Sequence, residues 1–140
     1  MRAALRAEIG RTLRFAVVGA SVAAAYAAGY AGLRWLGAAP WAASVPAFAA
    51  AVAWQYLAQT LWTFRAPLGE SVRALRFAVT IGAGLAVSVA VTGWLGPAAG
   101  LPEAGAVAVV VLWLPVQNYL VFRLWVYRDA VAAGRGEPGR

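Results

Sequence analysis

The residues able to do chemistry in this chain are few, and they come in matched pairs. Residues 55–65 read QYLAQTLWTFR and residues 118–128 read NYLVFRLWVYR, so Tyr56, Leu57, Leu61, Trp62 and Arg65 return 63 positions later as Tyr119, Leu120, Leu124, Trp125 and Arg128. Gln55 is answered by Asn118 and Phe64 by Tyr127; Gln59 and Gln117 add two further amides. A second, shorter echo sets Leu13-Arg14-Phe15-Ala16-Val17 beside Leu75-Arg76-Phe77-Ala78-Val79. Amides hydrogen-bond neutral polar groups, and arginine offers a planar fork to phosphate or carboxylate oxygens. Such a set can bind an anionic, polar group or can simply hold helices together. Acid–base and covalent catalysis lack the residues they need: the chain has no histidine and no cysteine, and its five carboxylates (Glu8, Glu70, Glu103, Asp129 and Glu137) all fall outside the apolar runs. We assign no catalytic residue, no metal ligand and no cofactor.

The elements that carry these residues follow from composition. A chain of 140 residues that is 63% hydrophobic and 12% charged is too small to bury its apolar side chains in one water-soluble core. Its solvent is therefore expected to be lipid. Crossing the hydrocarbon layer takes about 20 apolar residues at about 1.5 Å each, and four runs suffice: 15–33, 42–61, 77–95 and 104–122. Gly37 and Pro40, the stretch Arg65 to Glu70, Gly96-Pro97 and Gly100-Leu101-Pro102 supply the turns between them. An arginine-flanked first run could also be a cleaved signal, but it is longer than a signal core and its opening returns in run three, so we read it as a retained helix.

All twelve basic residues are arginine, and only Arg34 lies toward the side opposite the others. Because basic loops stay in the cytoplasm, both termini and the central loop are expected there. The predicted fold is an all-α membrane protein of four transmembrane helices, built as two tandem hairpins in parallel repeat. Residues 1–14 form a basic cytoplasmic N-terminus, 15–128 the membrane domain and 129–140 a disordered cytoplasmic tail. Trp62, Phe64, Trp125 and Tyr127 are expected at the inner interface, with Trp35, Trp41 and Trp94 at the outer one.

On a regular α-helix Gln55, Gln59 and Trp62 share a face, as do Asn118, Phe122 and Trp125. Gln55 and Asn118 then lie about 10 Å inside the hydrocarbon layer, where an unpaired amide must point into the bundle or a cavity. Arg14, Arg65, Arg76 and Arg128 stand at the rim above, a collar suited to an anionic lipid headgroup. The plainer alternative is that the amides only hold helices together and the arginines only set topology. Packing is also the preferred role for two small-residue stripes, Ala20-Ala24-Ala28-Gly32 and Gly84-Ser88-Thr92. Pro46 and Pro115 are candidate kinks.

With Arg14-Phe15-Ala16-Val17-Val18-Gly19, Trp62-Thr63-Phe64-Arg65, Asn118-Tyr119-Leu120 and Trp125-Val126-Tyr127 in place, the chain resembles the GtrA-like family of small four-helix membrane proteins over almost its whole length. Gln55 and Gln59 stand where that family usually has asparagines, and Val22 and Tyr26 replace a polar pair of helix one. The resemblance implies a bacterial inner-membrane, multi-pass protein of cell-surface polysaccharide synthesis that translocates polyprenyl-phosphate-linked sugar. Arg14, Arg65, Arg76 and Arg128 would hold the lipid phosphate, and Gln55, Gln59, Gln117 and Asn118 the sugar. It also leaves room for a non-transporting anchor or accessory subunit of a polyprenyl-phosphate glycosyltransferase. Expected partners are that lipid or another anionic one, the membrane lipids, a glycosyltransferase and a second copy of the chain, since four helices enclose little space. Nothing in the positive charge carries a nucleic-acid signature.

Overall fold

Apolar, alanine-rich runs broken by Gly and Pro become helices joined by short turns, and no strand interrupts them among the described residues. The computed structural model describes residues 2–133. Helix α1 spans Arg2–Trp35, α2 Pro40–Ala58, α3 Ser71–Ala90, α4 Gly96–Ala98, α5 Glu103–Val121 and α6 Arg128–Ala133. Single π-helical turns follow α2 (Gln59–Thr63), α3 (Val91–Leu95) and α5 (Phe122–Val126). The chain separates into two compact units, Met1–Leu68 and Gly69–Arg140.

In the first unit α1 packs along α2. The contact is made by small residues: a Cβ added at Gly29 would meet the Ala47 Cβ at 3.4 Å, and Ala43, Ala47 and Ala51 are buried on α2. Tyr26 and Ser44 share a hydrogen bond of 3.0 Å across the same seam. The stripe Ala20, Ala24, Ala28 and Gly32 faces outward instead. The reason lies on α1 itself, where Val18, Tyr26 and Gly29 occupy the face turned to α2 and leave the alanines more than a quarter-turn away.

In the second unit α3 packs on α5. Gly84 lies against Leu114, and Phe77 stacks on Phe122 with ring centroids 5.2 Å apart. The tightest approach is at Gly96, where an added Cβ would fall 2.7 Å from the Ala106 Cβ and 2.8 Å from the Val91 carbonyl oxygen. Neither neighbour can swing aside. Gly96→Ala is therefore expected to destabilise the unit by about 1–3 kcal/mol. Gly84→Ala, whose new methyl meets Leu114 at an ordinary 3.5 Å, should not. Thermal unfolding in detergent compares the two directly.

Three helical segments are long and apolar enough to cross a membrane: Leu5–Trp35, Ser71–Ala98 and Glu103–Val126. Leu, Val and Trp side chains stand exposed along them, among them Val17, Leu85, Trp94, Leu112 and Leu124. So much bare apolar surface is compatible with lipid and not with water. The segment expected as the second crossing is helical throughout. It falls short of the other three in hydropathy because Pro46, Trp54, Gln55 and Tyr56 dilute its alanines.

Several boundaries differ from the sequence expectation, among them the start of α3, which lies at Ser71 instead of Phe77. Helix α1 begins at Arg2, well ahead of Phe15, because Ala3, Ala4, Leu5 and Ala7 are strong helix formers and nothing in the basic segment breaks the helix. Residues 129–133, expected in a disordered tail, belong to α6; residues 134–140 of that tail lie outside the described residues.

Candidate functional site

Both amide-bearing segments end in the same unusual backbone. Helices α2 and α5 are each 19 residues long, and each passes directly into a five-residue π-turn. The Phe64 N–H donates to the Gln59 carbonyl at 2.9 Å, and the Tyr127 N–H to the Phe122 carbonyl at 2.8 Å, each reaching five residues back. A π-turn accommodates an extra residue, so every side chain beyond it is rotated from its α-helical position. The faces expected from a regular helix change accordingly. Gln59 is wholly buried at 0% exposure while Trp62 is 46% exposed, and Phe122 is wholly buried while Trp125 is 40% exposed. Phe64 and Tyr127, expected as interfacial rings, are buried too, and Phe122 meets the Tyr127 ring edge-on at 5.9 Å.

In the first unit the buried polar atoms are left over. Both amide atoms of Gln59 and the Thr63 hydroxyl are buried without a hydrogen-bond partner. They are residues i and i+4 of one turn. Nearer the end of the hairpin, the Arg14 Nε is likewise buried and unpartnered, and Arg65 and Arg11 are the charges that bear on it. Arg11 is held by Glu8 at 2.8 Å. Arg65 has no such carboxylate among the described residues. Its backbone is also exceptional, with φ of 51° in the left-handed region where glycine normally closes a helix. The next amide, of Ala66, reaches back to the Thr60 carbonyl at 2.8 Å, which ends the helix and fixes where Arg65 projects. Gln55 is half-buried one turn before Gln59.

The matching positions of the second unit are engaged. Arg76 donates to the Trp125 carbonyl at 3.2 Å and sits 5.7 Å above that ring, and Arg128 pairs with Asp129 at 3.3 Å. Gln117 accepts a 2.7 Å hydrogen bond from the Trp113 indole. Asn118 is the exception: its Oδ1 is buried without a partner, facing the Gly84 side of α3. Arg73 escaped the sequence reading. It is only 4% exposed, paired with Glu70 at 2.8 Å and poised 5.9 Å over the Tyr127 ring. The i,i+3 spacing of Glu70 and Arg73 signalled the ion pair, but nothing in sequence signalled its burial. Thr63 was missed as well, since its meaning depends on the π-turn.

The first unit is thus an all-helical apolar hairpin in which Arg65 has no carboxylate partner among the described residues and the Gln59 amide, the Thr63 hydroxyl and the Arg14 Nε are buried without hydrogen-bond partners. The GtrA/DPMS transmembrane-domain family matches residues 14–127, and the chain belongs to that family. The family gives the chain a membrane role in handling polyprenyl-linked sugars, through translocation or accessory function and not through a known catalytic domain. No curated protein and no solved structure matches the chain significantly.

Proposed function

We propose that this protein is a bacterial inner-membrane translocator of polyprenyl-phosphate-linked sugar serving cell-surface polysaccharide synthesis. It crosses the membrane four times as two tandem hairpins with both termini in the cytoplasm, and works as a homodimer. The lipid phosphate docks on Arg14 and Arg65 in the first unit, and Arg76 and Arg128 are the phosphate-binding groups of the second. Gln55, Gln59, Gln117 and Asn118 take over hydrogen bonds that the sugar gives up on leaving water, lowering the cost of moving its hydroxyls through hydrocarbon. The reading rests on one observation above the rest: the Arg14 Nε is buried without a partner, and Arg65, whose charge bears on Arg14, has no carboxylate partner among the described residues, in the hairpin whose Gln59 is buried unsatisfied. An anion bound to both would offset the repulsion between them.

A vesicle assay tests it by following protected against accessible polyprenyl-phosphate sugar. The wild-type chain should equilibrate the two leaflets, and Gln55→Leu combined with Asn118→Leu should slow exchange by roughly tenfold or more, on the scale of losing one or two polar partners worth about 1–1.5 kcal/mol each. Equal rates would discard translocation. The second reading, a lipid-holding subunit for a polyprenyl-phosphate glycosyltransferase, draws on the position of the orphaned groups: Gln59, Thr63 and Asn118 all lie toward the arginine-bearing end of their helices. It predicts lipid capture without exchange in the same vesicles.

A further inference from the structure

Arg14, Val17, Val18 and Ser21 succeed one another at three- and four-residue steps along one face of α1. Trp54, Leu57, Ala58, Leu61 and Trp62 form the answering stripe along α2 and its π-turn. Between the stripes runs an apolar groove of about 430 Å³, lined by Val17, Val18 and Ser21 on one side and by Trp54, Leu57, Ala58, Leu61 and Trp62 on the other. Its deep end is built, not accidental. The Trp54 indole N–H donates to the Ser21 Oγ at 2.9 Å, and Ser21 in turn donates to the Val18 carbonyl at 2.8 Å. That chain of bonds satisfies the indole and holds its ring in place as part of the groove wall at this end. At the other end the first lining residues lie one turn from Arg14 and Arg65.

We infer that this groove seats the proximal part of a polyprenyl chain whose phosphate rests on Arg14 and Arg65. The inference depends on the lipid assigned above and adds where its tail goes. Charge chooses the occupant's end: Arg14, whose Nε is buried without a partner, and Arg65, with no carboxylate partner among the described residues, lie one turn beyond one mouth, and the lining is apolar but for Ser21, whose hydroxyl is already bonded to Val18 and Trp54. Spacing chooses the lipid. One helical turn, about 5 Å, separates the arginines from the groove, which suits a phosphate esterified directly to a single chain. A glycerophospholipid places a glycerol and a branch to a second chain in that interval. The groove occupies about 12 Å along α2, from Trp54 to Trp62, so the remainder of a long prenyl chain passes the Trp54 wall into the surrounding lipid. The second hairpin lacks the wall, since Gln117 stands at the position of Trp54 and is bonded within its own helix to Trp113.

Native mass spectrometry of the purified full chain, titrated with polyprenyl phosphate, dimethylallyl phosphate or phosphatidylglycerol, tests this. Ala58→Trp and Val17→Trp each fill the groove from a different helix, and an unchanged melting midpoint shows that the fold survives. Both should weaken polyprenyl phosphate binding by about tenfold or more, with dimethylallyl phosphate, which is nearly all headgroup, unaffected. In the unaltered protein, a diazirine carried on the first isoprene units should crosslink to residues 54–62. If polyprenyl phosphate does not bind at all, the proposed function and the groove fall together. If it binds, is weakened by Arg65→Ala, and is indifferent to both tryptophans with crosslinks elsewhere, the headgroup site stands and the groove is overturned. Phosphatidylglycerol binding as tightly, and lost in the same variants, would overturn the assignment to a prenyl chain.

Discussion

Arg65→Gly should give a protein at least as stable as the parent that has lost its lipid. The two effects have separate physical causes. A non-glycine residue in the left-handed region costs about 1–2 kcal/mol, and Arg65 holds φ at 51° at a helix end where glycine is the usual occupant. Glycine relieves that strain and returns part of the gain as unfolded-state entropy of about 0.5–1 kcal/mol. The Ala66 to Thr60 bond that closes the turn involves only backbone and survives. The lost guanidinium acts on binding alone. A charge-assisted hydrogen bond is worth about 1.5–3 kcal/mol, so recovery of co-purified polyprenyl phosphate should fall roughly ten- to hundredfold. Arg65→Ala, which keeps the strain, should lose the lipid without the stability gain. A melting midpoint lower in the glycine variant than in the alanine variant would contradict the strain account, and lipid recovery unchanged in both would remove Arg65 from the site.

Tyr127→Ala is expected to cause the largest loss of stability in the molecule, about 3–5 kcal/mol. The ring is wholly buried, meets Phe122 edge-on at 5.9 Å, and Phe122 in turn stacks on Phe77 at 5.2 Å, so three aromatic side chains of α3 and the end of α5 pack as one. Arg73 rests over the same ring and is itself buried. Truncation leaves a cavity beneath a cation that burial makes expensive to strand. Tyr127→Phe retains the ring and should keep most of the stability, which separates the contribution of the aromatic face from that of the hydroxyl. Unfolding followed by tryptophan fluorescence reads both variants, and a loss below about 1 kcal/mol for Tyr127→Ala would contradict the packing account.

The helices were legible because lipid imposes a coarse rule: long apolar runs, with Gly and Pro between them, can satisfy their backbones only as helices. The 63-residue echo also located the two segments that end alike, Pro40–Thr63 and Glu103–Val126. Which way their side chains face was not legible. QTLWT and FRLWV have no composition in common that marks a π-turn, because the turn changes only which carbonyl each amide selects. The one-residue shift buries Gln59, Phe64 and Tyr127 and turns Trp62 and Trp125 outward. Arg65 was recognised as a cation, but its backbone conformation was hidden, since an arginine gives no hint that it occupies a glycine-like position. Equally hidden was the difference between hairpins. Asp129 follows Arg128 where Ala66 follows Arg65, a single substitution that leaves one arginine paired and the other available.

The π-turns that end α2 and α5 sit 63 positions apart, at matching places in the two echoing segments. A turn of this kind arises when one codon is inserted into a gene for an ordinary helix, and here it sits at the same place in both halves. Independent insertions landing on matching sites are far less economical than one insertion copied along with its surroundings. Deleting one residue from either turn would rotate everything beyond it by about 100° and carry Arg65 or Arg128 to a different face of its segment.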